Sequence, residues 1–272
     1  MPLFTIDPDR CNRDGLCAAE CPVGCIVFEQ GALPVPHEKK QAYCLSCGHC
    51  LAVCPADAIR LERFRSGGVR KDKALNITFE QAGQFLKGRR SVRAFKADPL
   101  DRGALEGLLA VTEYGPSGHN ARLTRWAVAA TPDKVAEVAG AVVGWMRAQV
   151  ADATPLADAL HLSGIVRVWD QGQDMICRSA PVLAVAYGPE KGITPKEDGV
   201  IAVTYLELAA TAAGLGACWC GYVPIAAAHD RNLCRLLGVP EGHVVYGALV
   251  LGRPVRRVAA IPPRPMPGVH WL

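Results

Sequence analysis

Cys44-Leu45-Ser46-Cys47-Gly48-His49-Cys50-Leu51-Ala52-Val53-Cys54-Pro55 sets four thiols at gaps of two, two and three residues and closes them with a proline. Thirty-three residues upstream the same frame holds Cys11, Asp14, Cys17 and Cys21-Pro22. The flanks repeat too, Ile26 with Ile59 and Glu29 with Glu62. The first sixty residues are therefore a duplication in which one thiol position carries a carboxylate. Zinc knuckles bring paired C-x2-C units rather than three cysteines at two-residue gaps followed by C-P. A disulfide framework needs an oxidising compartment, and Met1 to Arg10 is too polar to read as a secretory leader.

The run resembles the cluster-binding motif of two-cluster bacterial ferredoxins. In that family the fourth cysteine of each run ligates the other cluster. The resemblance implies one iron–sulfur cluster on Cys44, Cys47, Cys50 and Cys21, and a second on Cys11, Cys17, Cys54 and the Asp14 position. A carboxylate is a hard donor beside soft thiolates and holds iron more weakly. Three outcomes stay open: a [4Fe-4S] cluster with Asp14 bound, a [3Fe-4S] cluster with that corner empty, or Cys25 as the ligand. Cys25 aligns with Ala58 in the repeat, which suits packing.

With 272 residues, half of them hydrophobic, the chain has room for a second domain. Residues 1–60 carry a net charge of −2 and residues 61–75 one of +3. The latter stretch has a Gly-Gly pair and alternating charge, and reads as a linker. The expected organisation is 1–62 cluster domain, 63–77 linker and 78–272 second domain. The linker's basic residues lack an aromatic platform or recognition helix, so no nucleic-acid partner is expected. From Val200 to Tyr222 the only charge is Glu207, a length that would span a bilayer. Thr204, Thr211, Gly214 and Gly216 interrupt it, so it reads as a buried helix ending at Gly214, at the centre of a dimer, with no membrane partner.

The second domain opens at Thr78-Phe-Glu-Gln81, which has capping-box character. Arg89-Arg-Ser-Val-Arg93 follows, three guanidiniums and a hydroxyl suited to a phosphate or to solvent. Next come a helix from Asp101 to Tyr114, the turn Gly115-Pro-Ser-Gly118-His119-Asn120 and a strand over 123–130. Gly214-Leu-Gly-Ala-Cys218-Trp219-Cys220-Gly221-Tyr222 and a buried strand over 244–251 complete the series.

In this order, R-R-S-V-R-x-F, P-S-G-H-N, G-L-G-A-C-W-C-G-Y and I-P-P-R resemble the FMN-dependent nitroreductase family over residues 78–272. The resemblance implies an α+β fold: a ferredoxin-like duplicated βαβ module followed by a nitroreductase-like domain, homodimeric, with FMN at the interface. It implies that Arg89, Ser91 and Arg93, with Arg90 beside them, hold the FMN phosphate and ribityl chain. Pro116, Ser117 and Gly118 would pack near the flavin ring, Asn120 near its edge. Cys218, Trp219, Cys220 and Gly221 would pass flavin N5, and Arg264 would add a second phosphate contact. Residues 144–178 match no part of the pattern. Within them Trp145, Met146 and Trp169 suit core packing or a cleft, and Arg178 needs a partner.

The activity expected is an electron relay between clusters and FMN, reducing a nitroaromatic, a quinone or an activated double bond. NAD(P)H or a reduced ferredoxin would be the donor. A protein-to-protein electron carrier and a redox sensor remain alternatives, the fused donor favouring an enzyme. No catalytic acid is assigned, His119 reading as a loop residue. Dense thiolates without disulfides point to the cytoplasm.

Overall fold

The computed structural model describes residues 3–64 and 67–272. Arg65 and Ser66 of the expected 63–77 linker lie outside the described residues, as do Met1 and Pro2. The chain divides into two compact units, Met1–Ile77 with His119–Ala121, and Thr78–Gly118 with Arg122–Leu272.

The first unit holds β1 (Phe4–Ile6), α1 (Leu16–Ala19), β2 (Ile26–Val27), β3 (Val35–Pro36), α2 (His49–Val53) and β4 (Ile59–Leu61). β1 pairs antiparallel with β4, and β2 with β3. Each ladder thus joins one strand from each half of the duplication. The backbone repeats with the sequence. Gly15 and Gly48, at φ 72° and 76°, open the two helices, and Arg13 and Ser46 precede them at φ 54° and 50°. A side chain at Gly15 would put its Cβ 2.6 Å from the Phe28 ring, so this left-handed position is closed to other residues on two counts. Both helices stop short of a Cys-Pro pair, where proline disfavours helical geometry in the residue before it. Phe4, Ile26, Leu51, Ile59 and Leu61 form the core together with Cys17 and Cys50.

The second unit contains α3 (Phe79–Gly88), α4 (Arg102–Thr112), β5 (Arg125–Ala129), α5 (Pro132–Ala151), α6 (Pro155–Ala159), α7 (Leu162–Asp170), β6 (Val182–Pro189), α8 (Pro195–Ala212), β7 (Gly216–Trp219), α9 (Tyr222–His229), α10 (Arg231–Leu236) and β8 (His243–Gly252). The strands form an antiparallel sheet in the order β5-β6-β8-β7. β6 and β8 read as unbroken apolar runs because both of their faces are covered. Leu183, Val185, Ala248 and Val250 pack under α5 and α9. Their neighbours Val182, Ala184, Ala186, Leu249 and Leu251 pack under α4 and α8.

Local signals set the boundaries. Thr78 Oγ1 accepts from Gln81 N at 3.2 Å and Gln81 Oε1 from Thr78 N at 2.8 Å, a complete capping box. Asp101 and Thr131 cap α4 and α5. α8 begins at Pro195, five residues before the expected start, because Asp198 is turned inward rather than ending the apolar run. Trp145 and Met146 are buried on α5 and Trp169 packs against the same core, so these three are packing residues.

Gly199 lies where α8 crosses β8, and an added Cβ would stand 2.6 Å from Tyr246 Cβ. In an open helix Gly→Ala gains about 1 kcal/mol. Here overpacking, which costs about 1–3 kcal/mol, outweighs that gain. Gly199→Ala should therefore lower the thermal unfolding midpoint, and a raised midpoint would show that the crossing is loosely packed.

Candidate functional site

In the first unit, the eight repeated positions sort into two cavities. One, of about 370 Å³ including space open to solvent, is lined by Cys21, Cys25, Cys44, Cys47 and Cys50. The other, of about 320 Å³ on the same measure, is lined by Cys11, Asp14, Cys17 and Cys54. Each cavity takes three positions from one run and the fourth cysteine from the other. Among the described residues no three His, Cys, Asp or Glu side chains converge on a single-ion site. A cluster makes no such demand, since each of its thiolates binds a different iron.

Backbone donors reach the thiols in matching places. Cys25 N donates to Cys21 Sγ at 3.1 Å and Ala58 N, 33 residues later, to Cys54 Sγ at 3.3 Å. Ser46 N donates to Cys44 Sγ at 3.5 Å. Such bonds stabilise sulfur-centred negative charge. Burial pushes the Cys17 thiol up and that of Cys50 to about 12. Without metal these two therefore hold their protons, and ligation must displace them.

Cys25 lies on the Cys21 cavity, away from Asp14. Its thiol donates to Lys40 O at 3.1 Å, and burial pushes it up to about 11. Asp14 Oδ1 accepts from Leu16 N at 3.1 Å, which fixes the carboxylate at the head of α1. Asn120 Nδ2 donates to Leu45 O and Ser46 O, both at 3.0 Å, so its amide is engaged beside Cys44.

In the second unit, the Arg89–Arg93 segment runs along the sheet edge. Ser91 bridges in parallel to Ala217, and Val92 N donates to Ala217 O at 2.8 Å. Gly216 allows this approach, since a Cβ there would meet Val92 at 2.7 Å. The segment therefore lies beside the Cys218-Trp219-Cys220-Gly221 turn. Arg90 Nη1 donates to Arg89 O at 2.7 Å. Burial raises the Cys218 thiol, and the positive charges of Arg93 and Arg178 oppose that rise, which puts both guanidiniums near it. Arg178 adopts φ 60° and donates to Met175 Sδ at 3.1 Å, in a turn held by the Asp174 carboxylate.

Sequence reasoning missed two acids here. Asp198, buried on α8, accepts from Gly118 N at 3.0 Å and Thr194 Oγ1 at 2.8 Å, fixing the Pro116-Ser117-Gly118 turn. Ser117 Oγ accepts from Arg122 N at 3.2 Å in the same turn. Glu207 accepts from Arg89 Nη1 at 2.8 Å through one oxygen and from Trp219 Nε1 at 3.1 Å through the other. Glu207 had one sequence signal, a lone charge inside an apolar run, and Asp198, in the charged stretch Lys196-Glu197-Asp198 ahead of that run, had none. Arg264 lies on the exposed stretch beyond β8, and among the described residues no hydrogen bond or ion pair joins it to the other arginines.

The sequence model described as "Nitroreductase family" matches residues 86–253. The chain belongs to the nitroreductase family. A second model, "4Fe-4S binding domain", matches residues 4–27. The chain is 40% identical over 58 residues to the pyruvate synthase subunit PorD of Methanothermobacter marburgensis, 21% of this chain and 63% of that one. It thus spans about three fifths of that relative's length. Two solved structures share the fold of this family member. One is a nitroreductase with bound FMN from Bacteroides fragilis (TM-score 0.57, 24% identity, 71% of this chain and 98% of that one). The other is a nitroreductase with bound FMN from Desulfitobacterium hafniense (TM-score 0.55, 22% identity, 69% and 97%). No helix among the described residues is long and apolar enough to cross a membrane.

Proposed function

We propose that the chain is an FMN- and iron–sulfur-dependent oxidoreductase that relays electrons between two ferredoxin-type clusters and a flavin to reduce a small organic acceptor. In this reading residues 1–62 form the cluster module, 63–77 the connection and 78–272 the flavin-binding domain. The observation that supports it most is the sorting of the repeated ligand positions between two cavities, within a chain that belongs to the nitroreductase family.

The donor chemistry fits the clusters: soft thiols, buried or half-buried, with backbone N–H groups directed at three of them. It fits FMN as well. Arg89, Ser91 and Arg93 offer guanidinium and hydroxyl donors to a phosphate, with Arg90 beside them. Gly221, where an added Cβ would meet nothing within 4 Å, leaves the backbone after Cys220 open to a planar ring. Cys218, Trp219, Cys220 and the Pro116-Ser117-Gly118 turn are the flavin-edge candidates, and Arg264, on the exposed stretch beyond β8, is the candidate for a second phosphate contact. Bound FMN would supply storage of two electrons with one-electron exchange toward the clusters.

The chain's own part is to grip, orient and desolvate. The arginines hold the anionic end, the Asp198-fixed turn shapes one wall, and the cysteine runs hold the clusters. In this reading the acceptor is a nitroaromatic, a quinone or an activated double bond, with NAD(P)H or reduced ferredoxin as donor. A homodimer completes the reading, and the resemblance to a pyruvate synthase subunit favours a low-potential protein donor. Protein purified without oxygen should release FMN and iron on acid extraction. A preparation with iron but no flavin absorbance would overturn the proposal.

A further inference from the structure

We infer that Glu207 is a positioning residue that locks Arg89 and Trp219 into one arrangement across the flavin site, an inference resting on the FMN reading above. Glu207 sits on α8 among Leu206 and Ala210, which belong to the core, and its side chain is 7% exposed. Its oxygens divide their labour. Oε1 takes Arg89 Nη1, at the C-terminal cap of α3, and Oε2 takes the indole N–H of Trp219, the last residue of β7. These partners are 118 residues and 12 residues away in sequence, and both flank the strip where Ser91 bridges to Ala217. One buried carboxylate therefore ties the arginine segment to the flavin-edge turn through side chains, beside the backbone tie.

Stability alone does not account for such a group. Replacing a buried ion pair by apolar residues of similar volume is often neutral or stabilising. Geometry does account for it. Arg89 commits Nη1 to Glu207 and keeps its other N–H donors, with 29% of the side chain exposed. Trp219, 37% exposed, is tethered by its nitrogen, so the ring cannot swing freely. Holding two rotamer-rich side chains before the ligand arrives lowers the ordering cost of binding.

The test is FMN titration of flavin-stripped, cluster-containing full-length protein, followed by flavin fluorescence and paired with thermal unfolding. Glu207→Leu should weaken FMN binding at least about tenfold, and because it leaves the Arg89 guanidinium and the Trp219 indole N–H without their acceptor it should also lower the unfolding midpoint. In a cycle with Arg89→Ala, the double variant should bind FMN no more than about twofold more weakly than the worse single variant. A purely structural pair predicts the lower midpoint with unchanged FMN affinity. Should Glu207→Leu fail to fold, Glu207→Gln and Trp219→Phe carry the test. Each removes one feature of the arrangement and should weaken binding by about threefold or more. Wild-type binding matched within twofold by all the folded variants overturns this inference alone. A wild-type chain that takes up no FMN overturns the flavin reading and this inference with it.

Discussion

Replacing Cys21 with alanine should abolish the cluster whose other ligands, Cys44, Cys47 and Cys50, lie 23 to 29 residues downstream. The reason is the pairing of the first unit. β1 with β4 and β2 with β3 interleave the two halves, and Cys21 faces the cavity of the second run. A cluster reduced to three thiolates at this site does not assemble stably, so iron content and visible charge-transfer absorbance should fall by about half. Cys54→Ala should strike the Asp14 cavity instead. Asp14→Cys separates the two cases. It replaces a hard donor with a soft one and should raise iron retention only while Cys54 is intact. If Cys21→Ala left the second run loaded and emptied the first, each run would ligate its own cluster and the interleaved assignment would be wrong.

The second large effect concerns Arg93. Its guanidinium lies near Cys218, is exposed, and among the described residues makes no ion pair. A charge-assisted hydrogen bond to phosphate contributes about 1.5–3 kcal/mol, which corresponds to about 10- to 100-fold in affinity. Arg93→Ala should therefore release FMN by that factor while iron content and unfolding midpoint stay unchanged. Arg93→Lys should recover only part of the loss, because an ammonium cannot make the bidentate contact. Unaltered FMN affinity in Arg93→Ala would remove this residue from the site and shift the phosphate toward Arg90.

What was legible in the sequence was whatever depended on local rules. The duplication and its cysteine runs follow from spacing alone. Thr78 with Gln81 announces a capping box, and the apolar run of β8 announces a buried strand. The helices of the first unit were not legible, because four or five residues carry no periodicity and left-handed Gly15 and Gly48 set their starts. Residues 144–178 gave no pattern either. α5 runs on from Pro132 with apolar residues on several sides, and α7 follows a left-handed His161 that leaves no side-chain cap. Glu207 was visible as a charge in an apolar run and Asp198 was one acid in a charged stretch, but their meaning lies in partners at Arg89 and Gly118, contacts that only the tertiary fold creates.

In the proposed relay, electrons pass between the clusters and the flavin within one chain. Its most direct test is rapid mixing, without oxygen, of the loaded protein with dithionite-reduced ferredoxin, following flavin absorbance in the wild type and in Cys21→Ala/Cys54→Ala. Prompt flavin bleaching is expected in the wild type and none in the double variant, with bleaching by NAD(P)H either present in both or absent from both. Equal bleaching by reduced ferredoxin with and without clusters would contradict it.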